Sequence, residues 1–558
     1  VFPEFDYTDQ GVMYEEHRTS RGYVSYWCNS AYEVLRMALA YDCIFDAIKE
    51  DDEFIEFAVD KGKQHNPPVR KRCFKDIQSN IEERLLLDPV NHRWKIESNR
   101  PRTEFAILAV KAVTGWPESK DDIIQGLWNI LDTITEVDGL SGEKGLAAYS
   151  SLSAFAMANM ISCMCLLDEG LFRMIMERYP KIYDGFRFFI DTLCLHKYYP
   201  GCGDMGHLTD ERSYPIYYGW NNYESNQYFE KTVLYSYEGF IWKLYEYTGD
   251  EDFVKMLYNV SVEQGSFDKL FESTMTMGKS PEEMRKKVEA IIEKSGTYIK
   301  PECINRTTWK LGVCHTGTGE NERAIALDYD SGGYHGHNDC MNISIFSKGM
   351  NLLPDFGYPP YHRKGGWSSA WFFWYRSASS HNTVIIDRKE HADFLALNDR
   401  NYDRKKDPIG YYNYVEKTYT KLGESKMWAV GSTVKAISAS CPEITGAKEY
   451  ERTLVMVDVS ETDSYVLDVF RVEGGSEHIK LIRSSYSDFS SNGLKPGEAE
   501  DEKSLFGSSF IKKIEADRQI IHYNFDNQGE LCFTRNIRKD RNTVPGWSAV
   551  WEMKDIFS

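Results

Sequence analysis

The sequence predicts a multidomain α+β protein, with a helical N-terminal half over residues 1–300 and an antiparallel β-sheet half over 301–558. Three observations carry this reading. Apolar residues recur at helical spacing in successive segments from Ser30 to about Tyr258. After about Pro301 the pattern changes to short β-rich runs separated by Gly, Asn and Asp turns. A chain of 558 residues, 42% hydrophobic, is also long enough to bury more than one core, and about two to four domain-sized units is the expectation from length.

In the helical half, Ala31 to Asp42 and Phe105 to Val113 show the apolar stripe most clearly, with Gly, Pro and acidic residues between such segments. This predicts a stack of helical hairpins. Ser280-Pro281 opens one more helix through Val288, with serine as cap and proline at the first helical position. In the second half, Arg323 to Asp328, Arg452 to Val459, Ser464 to Val472 and Gln519 to Tyr523 read as strands of a sheet domain, and a sandwich is the architecture such runs usually build. Neither half contains a low-complexity segment.

A formal charge of -19 argues against a nucleic-acid partner and repels any polyanion at long range. An anionic sugar chain would therefore need a local basic lining, for which Arg70-Lys71-Arg72, the group Arg93, Lys95, Arg100 and Arg102, and Lys364 with Arg376 are candidates. The 36 Tyr and 13 Trp offer faces on which sugar rings stack, although most aromatics serve cores. The 12 cysteines form no CxxC pairs, and Cys163 and Cys165 sit in an apolar helical run, so reduced core thiols and a cytoplasmic location are expected. The first residue is Val1, which leaves secretion after removal of a leader open. No apolar run approaches the roughly 20 residues of a membrane span, so no membrane partner is expected.

The most informative stretch is Gly332-Gly333-Tyr334-His335-Gly336-His337-Asn338-Asp339, which sets two imidazoles and a carboxylate on a glycine-flexed turn. Met341, Ile343 and Ile345 then alternate with Asn342 and Ser344, so His337 enters one strand of a hairpin while Asp355, in Leu353-Pro354-Asp355-Phe356-Gly357-Tyr358-Pro359, leaves its partner. His381 opens a third β-branched run, Thr383 to Ile386, and a neighbouring strand would bring its ring to the same point. Two neutral imidazoles and one carboxylate form a donor set suited to one divalent metal ion, zinc above all, with manganese or calcium as alternatives. His337, Asp355 and His381 are therefore the expected ligands.

Gly-Tyr-His-Gly-His-Asn-Asp, Leu-Pro-Asp-Phe-Gly-Tyr-Pro and Ser-His-Asn-Thr-Val, the last at 380–384, resemble the core of the heparinase II/III-like polysaccharide lyases, a group that includes alginate and oligoalginate lyases. The resemblance is specific from about His335 to Asp387 and weaker through the helical half. It implies an N-terminal (α/α) toroid followed by a C-terminal antiparallel β-sandwich, with the active site in the cleft between them. It also implies a metal, usually zinc, on His337, Asp355 and His381, and a catalytic role for His335. Asp138-Gly139, Glu143, Lys144-Gly145 and Tyr149 resemble the family element whose tyrosine is the usual acid and base, although the characteristic proline and tyrosine doublet is missing; Tyr149 would then open a helix from Leu152 to Leu167.

Cleavage of a 4-linked uronic acid by β-elimination sets the remaining requirements. The C5 proton is weakly acidic because the adjacent carboxylate resists further negative charge, so that carboxylate must be neutralised by Asn, His or Arg. Tyr or His must take the proton, and a Tyr or water must protonate the leaving oxygen. Asn99 and Arg100, before the helix Arg102 to Val113, lie where a helix N-terminus also favours an anion. Asn99 is the candidate for the carboxylate, with Arg100 standing where the family often has histidine and Asn91-His92 as an alternative. Substitutes for Tyr149 are Tyr214, Tyr217, Tyr218 and Tyr223, and Asp204, His207, Tyr218, Trp220 and Arg376 are expected to bind substrate.

The expected function is thus a lyase acting on a uronic-acid polysaccharide, most readily a glycosaminoglycan such as heparan sulfate, chondroitin sulfate or hyaluronan. Alternatives are an alginate lyase, a C5 uronate epimerase sharing the same carbanion, a glycosidase using Asp138, Glu143 and Asp204, or a non-enzymatic carbohydrate-binding protein. Oligomeric state leaves no mark in the sequence.

Overall fold

The computed structural model describes residues 6–8, 19–21, 24, 29–65, 71–205, 237–263, 280–333, 335–357, 374–392, 420–484, 487–498 and 538–553. They form two compact units. The described parts of the first fall within 1–141, 153–185 and 228–299, and those of the second within 142–152, 186–205 and 300–553. The second unit thus takes two segments from the helical half of the sequence in addition to the sheets.

The first unit is helical. Ser30–Lys49 buries Ala31, Val34, Leu35, Ala38 and Tyr41, the one-face spacing of an amphipathic helix, and packs against Arg102–Gly115. The latter buries Phe105, Ala106, Leu108, Ala109 and Val110, and each large apolar side chain so covered contributes roughly 1.5–3 kcal/mol. Further helices run over Lys120–Ile134, Leu171–Arg178, Tyr237–Thr248, Glu251–Glu263 and Pro281–Ser295, the last beginning at the expected proline. The helix expected from Leu152 to Leu167 spans Ser151–Met164 and is preceded by a π-helical turn, Leu146–Ser150.

Three cations proposed as a polyanion lining have other partners in this unit. Lys95 is buried against Asp88 at 2.5 Å, Arg93 pairs with Glu97 and Glu104, and Arg102 is buried with its guanidinium 4.8 Å from the Tyr32 ring centre. A buried lysine already matched to a carboxylate offers nothing to a sugar sulfate. Lys71 and Arg72 belong to this unit, with Arg72 on Asp76, while Arg70 and Lys364 lie outside the described residues.

The second unit contains a five-stranded antiparallel sheet in the order Ile304–Arg306, Leu311–Thr316, Arg323–Asp328, Asn342–Ser347, Met350–Asn351. A four-stranded antiparallel sheet follows in sequence order over Glu424–Val430, Val434–Ser440, Glu449–Asp458 and Ser464–Glu473. Strand 449–458 buries Tyr450, Arg452, Leu454 and Met456 in alternation, the period-2 pattern of a half-buried strand. Both sheets feed one apolar cluster: Cys314, Ile325, Leu327 and Ile343 from the first, Ile437, Ala439, Leu454 and Met456 from the second. The expected strand at Gln519 to Tyr523 lies outside the described residues.

Among the described residues no helix is long and apolar enough to cross a membrane. The ten cysteines described are free thiols, and burial pushes those of Cys163 and Cys165 up to about 12.

Candidate functional site

Three segments of the second unit converge on His335. The first is the turn 142–150, the second the stretch Gly201-Cys202-Gly203-Asp204-Met205, and the third the loop after strand Arg323–Asp328. Their backbones interlock: Gly145 N–H donates to Cys202 O at 2.7 Å, and Asp204 N–H donates to His335 O at 2.8 Å. Gly203 makes this approach feasible. Its φ is +74°, and a Cβ there would stand 2.2 Å from His335 O, so no other residue fits without moving the loop. His335 itself has φ +57°, an unusual conformation for a non-glycine residue that persists only where its surroundings hold it.

The side chains explain what holds it. His335 Nδ1 is 2.9 Å from Asp204 Oδ2, and its Nε2 is 3.6 Å from Glu143 Oε1. The ring of Tyr149 stacks on the His335 imidazole, with centroids 3.4 Å apart and planes at 9°. Tyr149 lies in the π-helical turn, a distortion that often marks functional positions because it re-aims one side chain. The pair that the resemblance implies is therefore in van der Waals contact, although 186 positions separate its members in the chain (335 minus 149).

Asp204 does not serve as the expected sugar ligand. It is 1% exposed, and its other oxygen, Oδ1, is 3.0 Å from His337 Nε2. Burial opposes its ionisation, but the hydrogen bonds from His335 and His337 outweigh that penalty and hold its carboxyl below the usual carboxylate range. Arg376 contributes in the same direction and donates to Gly336 O at 3.3 Å, which places this expected substrate-binding residue on the loop that carries both histidines.

A second constellation adjoins the first. His337, Asp339 and His381 bring their ligand atoms within 4.8 Å of one another, and all three are buried. Asp355, the carboxylate expected in this set, instead lies 2.6 Å from His381 Nδ1, and also accepts hydrogen bonds from Asn342 Nδ2 at 3.0 Å and Gly357 N–H at 2.8 Å. Burial disfavours the Asp355 charge, yet the adjacent His381 keeps its carboxyl low, and Asp355 in turn raises the His381 imidazole against the opposing effect of burial.

The residues fit a divalent metal by a test independent of sequence pattern. His337 Nδ1 and His381 Nε2 are buried and have no hydrogen-bond partner among the described residues, while the opposite nitrogen of each ring is engaged by a carboxylate. That is how a carboxylate orients a metal-binding imidazole. Asp339 was legible as part of the His-Gly-His-Asn-Asp turn, two positions after His337, but the strand-pairing argument drew attention to Asp355.

The route by which His381 arrives also differs in detail. Its strand, Val384–Ile386, pairs with His478–Lys480 and not with Asn342–Ser347. Side chains make the junction: Asn342 Oδ1 accepts from Asn382 N–H at 2.9 Å, and Asn382 Nδ2 donates to Ile343 O at 3.2 Å. Below them the buried Arg452 donates to Met341 O at 2.6 Å and to Asn382 O, with its remaining N–H groups on Asp468.

Lys144, next to Glu143, anchors the Tyr149 turn. Its ammonium is 2.8 Å from Asp330, 3.8 Å from Asp328 and 3.8 Å from the centre of the Trp309 ring, and donates to Trp309 O at 2.8 Å. Burial opposes its charge, but the ion pair with Asp330 outweighs that penalty and it stays protonated, whereas burial drives Asp328 well above the usual carboxylate range. Asp330→Ala is therefore expected to leave a buried charge unmatched and to cost about 3–5 kcal/mol, while the isosteric Asp328→Asn costs far less. Urea midpoints of the two variants measure the difference, and equal losses would contradict it.

Asn99 and Arg100 belong to the first unit, where Asn99 is half-buried with its carbonyl accepting from Arg102 N–H at 2.9 Å, and Arg100 is exposed. Pro101 is the helix cap residue, and the Arg100–Pro101 bond is cis. His207, Tyr214, Tyr217, Tyr218, Trp220 and Tyr223 lie outside the described residues.

Residues 323–490 match the family model described as heparinase II/III-like, C-terminal, and this stretch contains His335, His337, Asp339, Asp355 and His381. No curated protein matches the sequence. Similar solved structures include a heparan sulfate lyase HepC mutant from Pedobacter heparinus, 11% identical, with 87% of this chain and 75% of that chain covered and a TM-score of 0.44. A heparinase III crystal structure is likewise 11% identical, with 85% and 66% covered and a TM-score of 0.41.

Proposed function

We propose that this protein is a polysaccharide lyase that cleaves a 4-linked uronic-acid polymer of the glycosaminoglycan class by β-elimination, with the two halves of the chain forming an (α/α) toroid and a β-sandwich. The observation that carries the reading is the Tyr149–His335 stack, because it sets a phenol and an imidazole side by side with carboxylates at both ring nitrogens of the histidine. Abstraction of the C5 proton by neutral His335 makes it an imidazolium, and donation of the Tyr149 phenol proton to the departing 4-oxygen leaves a phenolate. Asp204 and Glu143 stabilise the imidazolium that His335 becomes when it takes a proton. Tyr149 and His335 together exchange the C5 proton and the proton required by the departing 4-oxygen.

Asn99 with Arg100, and Arg376, which donates to Gly336 O of the histidine loop, are the proposed neutralising groups for the uronate carboxylate. A divalent cation, zinc by its donor set, would be held by His337 and His381 with Asp339 or Asp355, and when bound it would order the loop that carries His335. The glycosidase alternative is disfavoured by the same geometry, because Glu143 and Asp204 stand at the two ring nitrogens of one histidine and Asp204 is also engaged by His337.

The test is ultraviolet absorbance during incubation with heparan sulfate, chondroitin sulfate, hyaluronan and alginate, since elimination leaves a double bond conjugated to the carboxylate. A rise is expected with one of the glycosaminoglycans. A rise with alginate alone would change the substrate class, and deuterium exchange at C5 without cleavage would make the protein an epimerase.

A further inference from the structure

Asp204 divides its oxygens between two imidazoles that stand two residues apart, with Oδ2 2.9 Å from His335 Nδ1 and Oδ1 3.0 Å from His337 Nε2. An ionised carboxylate offers lone pairs only, so each ring nitrogen facing it must carry a hydrogen. In their neutral forms the two histidines are therefore opposite tautomers, Nδ1–H in His335 and Nε2–H in His337. The other nitrogens follow from this. His335 leaves the lone pair of Nε2 on the side of Glu143, whose Oε1 at 3.6 Å is beyond hydrogen-bond distance, and His337 keeps that of Nδ1, which is buried with no hydrogen-bond partner among the described residues.

We infer that Asp204 is a positioning residue that sets both tautomers at once, so that the imidazole which exchanges the substrate proton and the imidazole which would ligate a divalent cation are tied through one buried carboxylate. The inference rests on the lyase reading only for the role of His335; the tautomers and the metal affinity stand without it. The surroundings favour a single arrangement. Asp204 is also latched to His335 through its own backbone N–H, and Gly203 permits that approach. The segment is thereby docked without help from the carboxylate, and Asp204→Asn should keep the loop in place. An asparagine cannot keep the chemistry in place, because its amide presents one acceptor and one donor where two acceptors are needed. One of the two histidines must then invert its tautomer, and whichever does so loses its working lone pair.

The first experiment uses the full chain, metal-free, with ring-15N-labelled histidine, and reads tautomers from long-range proton–nitrogen correlations. His335 and His337 are assigned by the signals missing from His335→Gln and His337→Gln. The expected result is Nδ1–H for His335 and Nε2–H for His337; the same tautomer in both would overturn the inference. This arm needs no Asp204 variant to fold. The second compares Asp204→Asn with the parent for zinc affinity and for turnover. Zinc affinity is expected to fall roughly 10–100-fold, or kcat to fall at nearly constant KM, according to which ring inverts. A variant that retained both would overturn the inference. Should the parent cleave no polymer, the lyase reading fails, while the tautomer and zinc results still decide the role of Asp204.

Discussion

Tyr149→Phe is expected to lower kcat by roughly 10²–10⁴-fold and to leave KM and the thermal midpoint close to those of the parent. The size follows from what the hydroxyl is asked to supply. Phenylalanine keeps the ring that stacks on His335 at 3.4 Å, so the packing of the turn and the orientation of the imidazole are retained, and only the proton-exchanging group is removed. The groups proposed to bind the uronate carboxylate, Asn99, Arg100 and Arg376, are untouched by the substitution, so KM is expected to stay near the parent value. Initial rates of absorbance increase, measured beside a thermal melt by circular dichroism, separate the two effects. A variant with parental turnover would remove Tyr149 from the proton exchange and leave His335 with Glu143 as the acid–base pair. A variant with a lowered midpoint would instead make the phenol a structural group.

The parts of this molecule that were legible in the sequence are those in which neighbours along the chain decide the outcome. The strand Arg323–Asp328 falls where its apolar, β-branched run predicts, and the helix after Ser280 starts at Pro281 because proline suits a first helical position. His335 and His337 could be singled out because one glycine-flexed turn presents both. What remained hidden depends on distant segments. Asp204 carries no local sign of its role: it follows a glycine in a turn, and only docking of that turn under the His335 loop shows that both its oxygens face imidazoles. The assignment of Lys95 and Arg102 to a basic surface failed for the same reason, since their partners Asp88 and Tyr32 are reached by packing and not by spacing. The sequence reading took Asp355 as the ligand and left Asp339 out, because strand pairing cannot show that Asp355 meets His381 at Nδ1 while Asp339 falls in the cluster with His337 and His381.

The metal constellation makes the other large prediction. His337→Ala removes one of two imidazoles whose inward nitrogens have no hydrogen-bond partner among the described residues, and it should reduce bound zinc from near stoichiometric to near zero after dialysis. A ligand present at about 1,000 times its dissociation constant stabilises the folded state by about 4 kcal/mol, and for a unit of this size that corresponds to a fall in midpoint of about 10 °C when binding is lost. The substitution has a second effect that must be kept apart. Asp204 Oδ1 loses its partner at 3.0 Å, and an ionised oxygen left buried without its hydrogen bond costs about 1.5–3 kcal/mol by itself. The two contributions differ in their response to metal. Chelation should lower the midpoint of the parent and leave His337→Ala unchanged, and added zinc should restore the parent alone; the gap that persists between metal-free parent and variant then measures the Asp204 contribution. A parent protein indifferent to both chelator and zinc would mean that the inward imidazole nitrogens serve some purpose other than metal binding. The loop carrying His335 would then be held by its protein contacts, the Asp204 side chain and backbone N–H, the Tyr149 stack and Arg376 on Gly336 O.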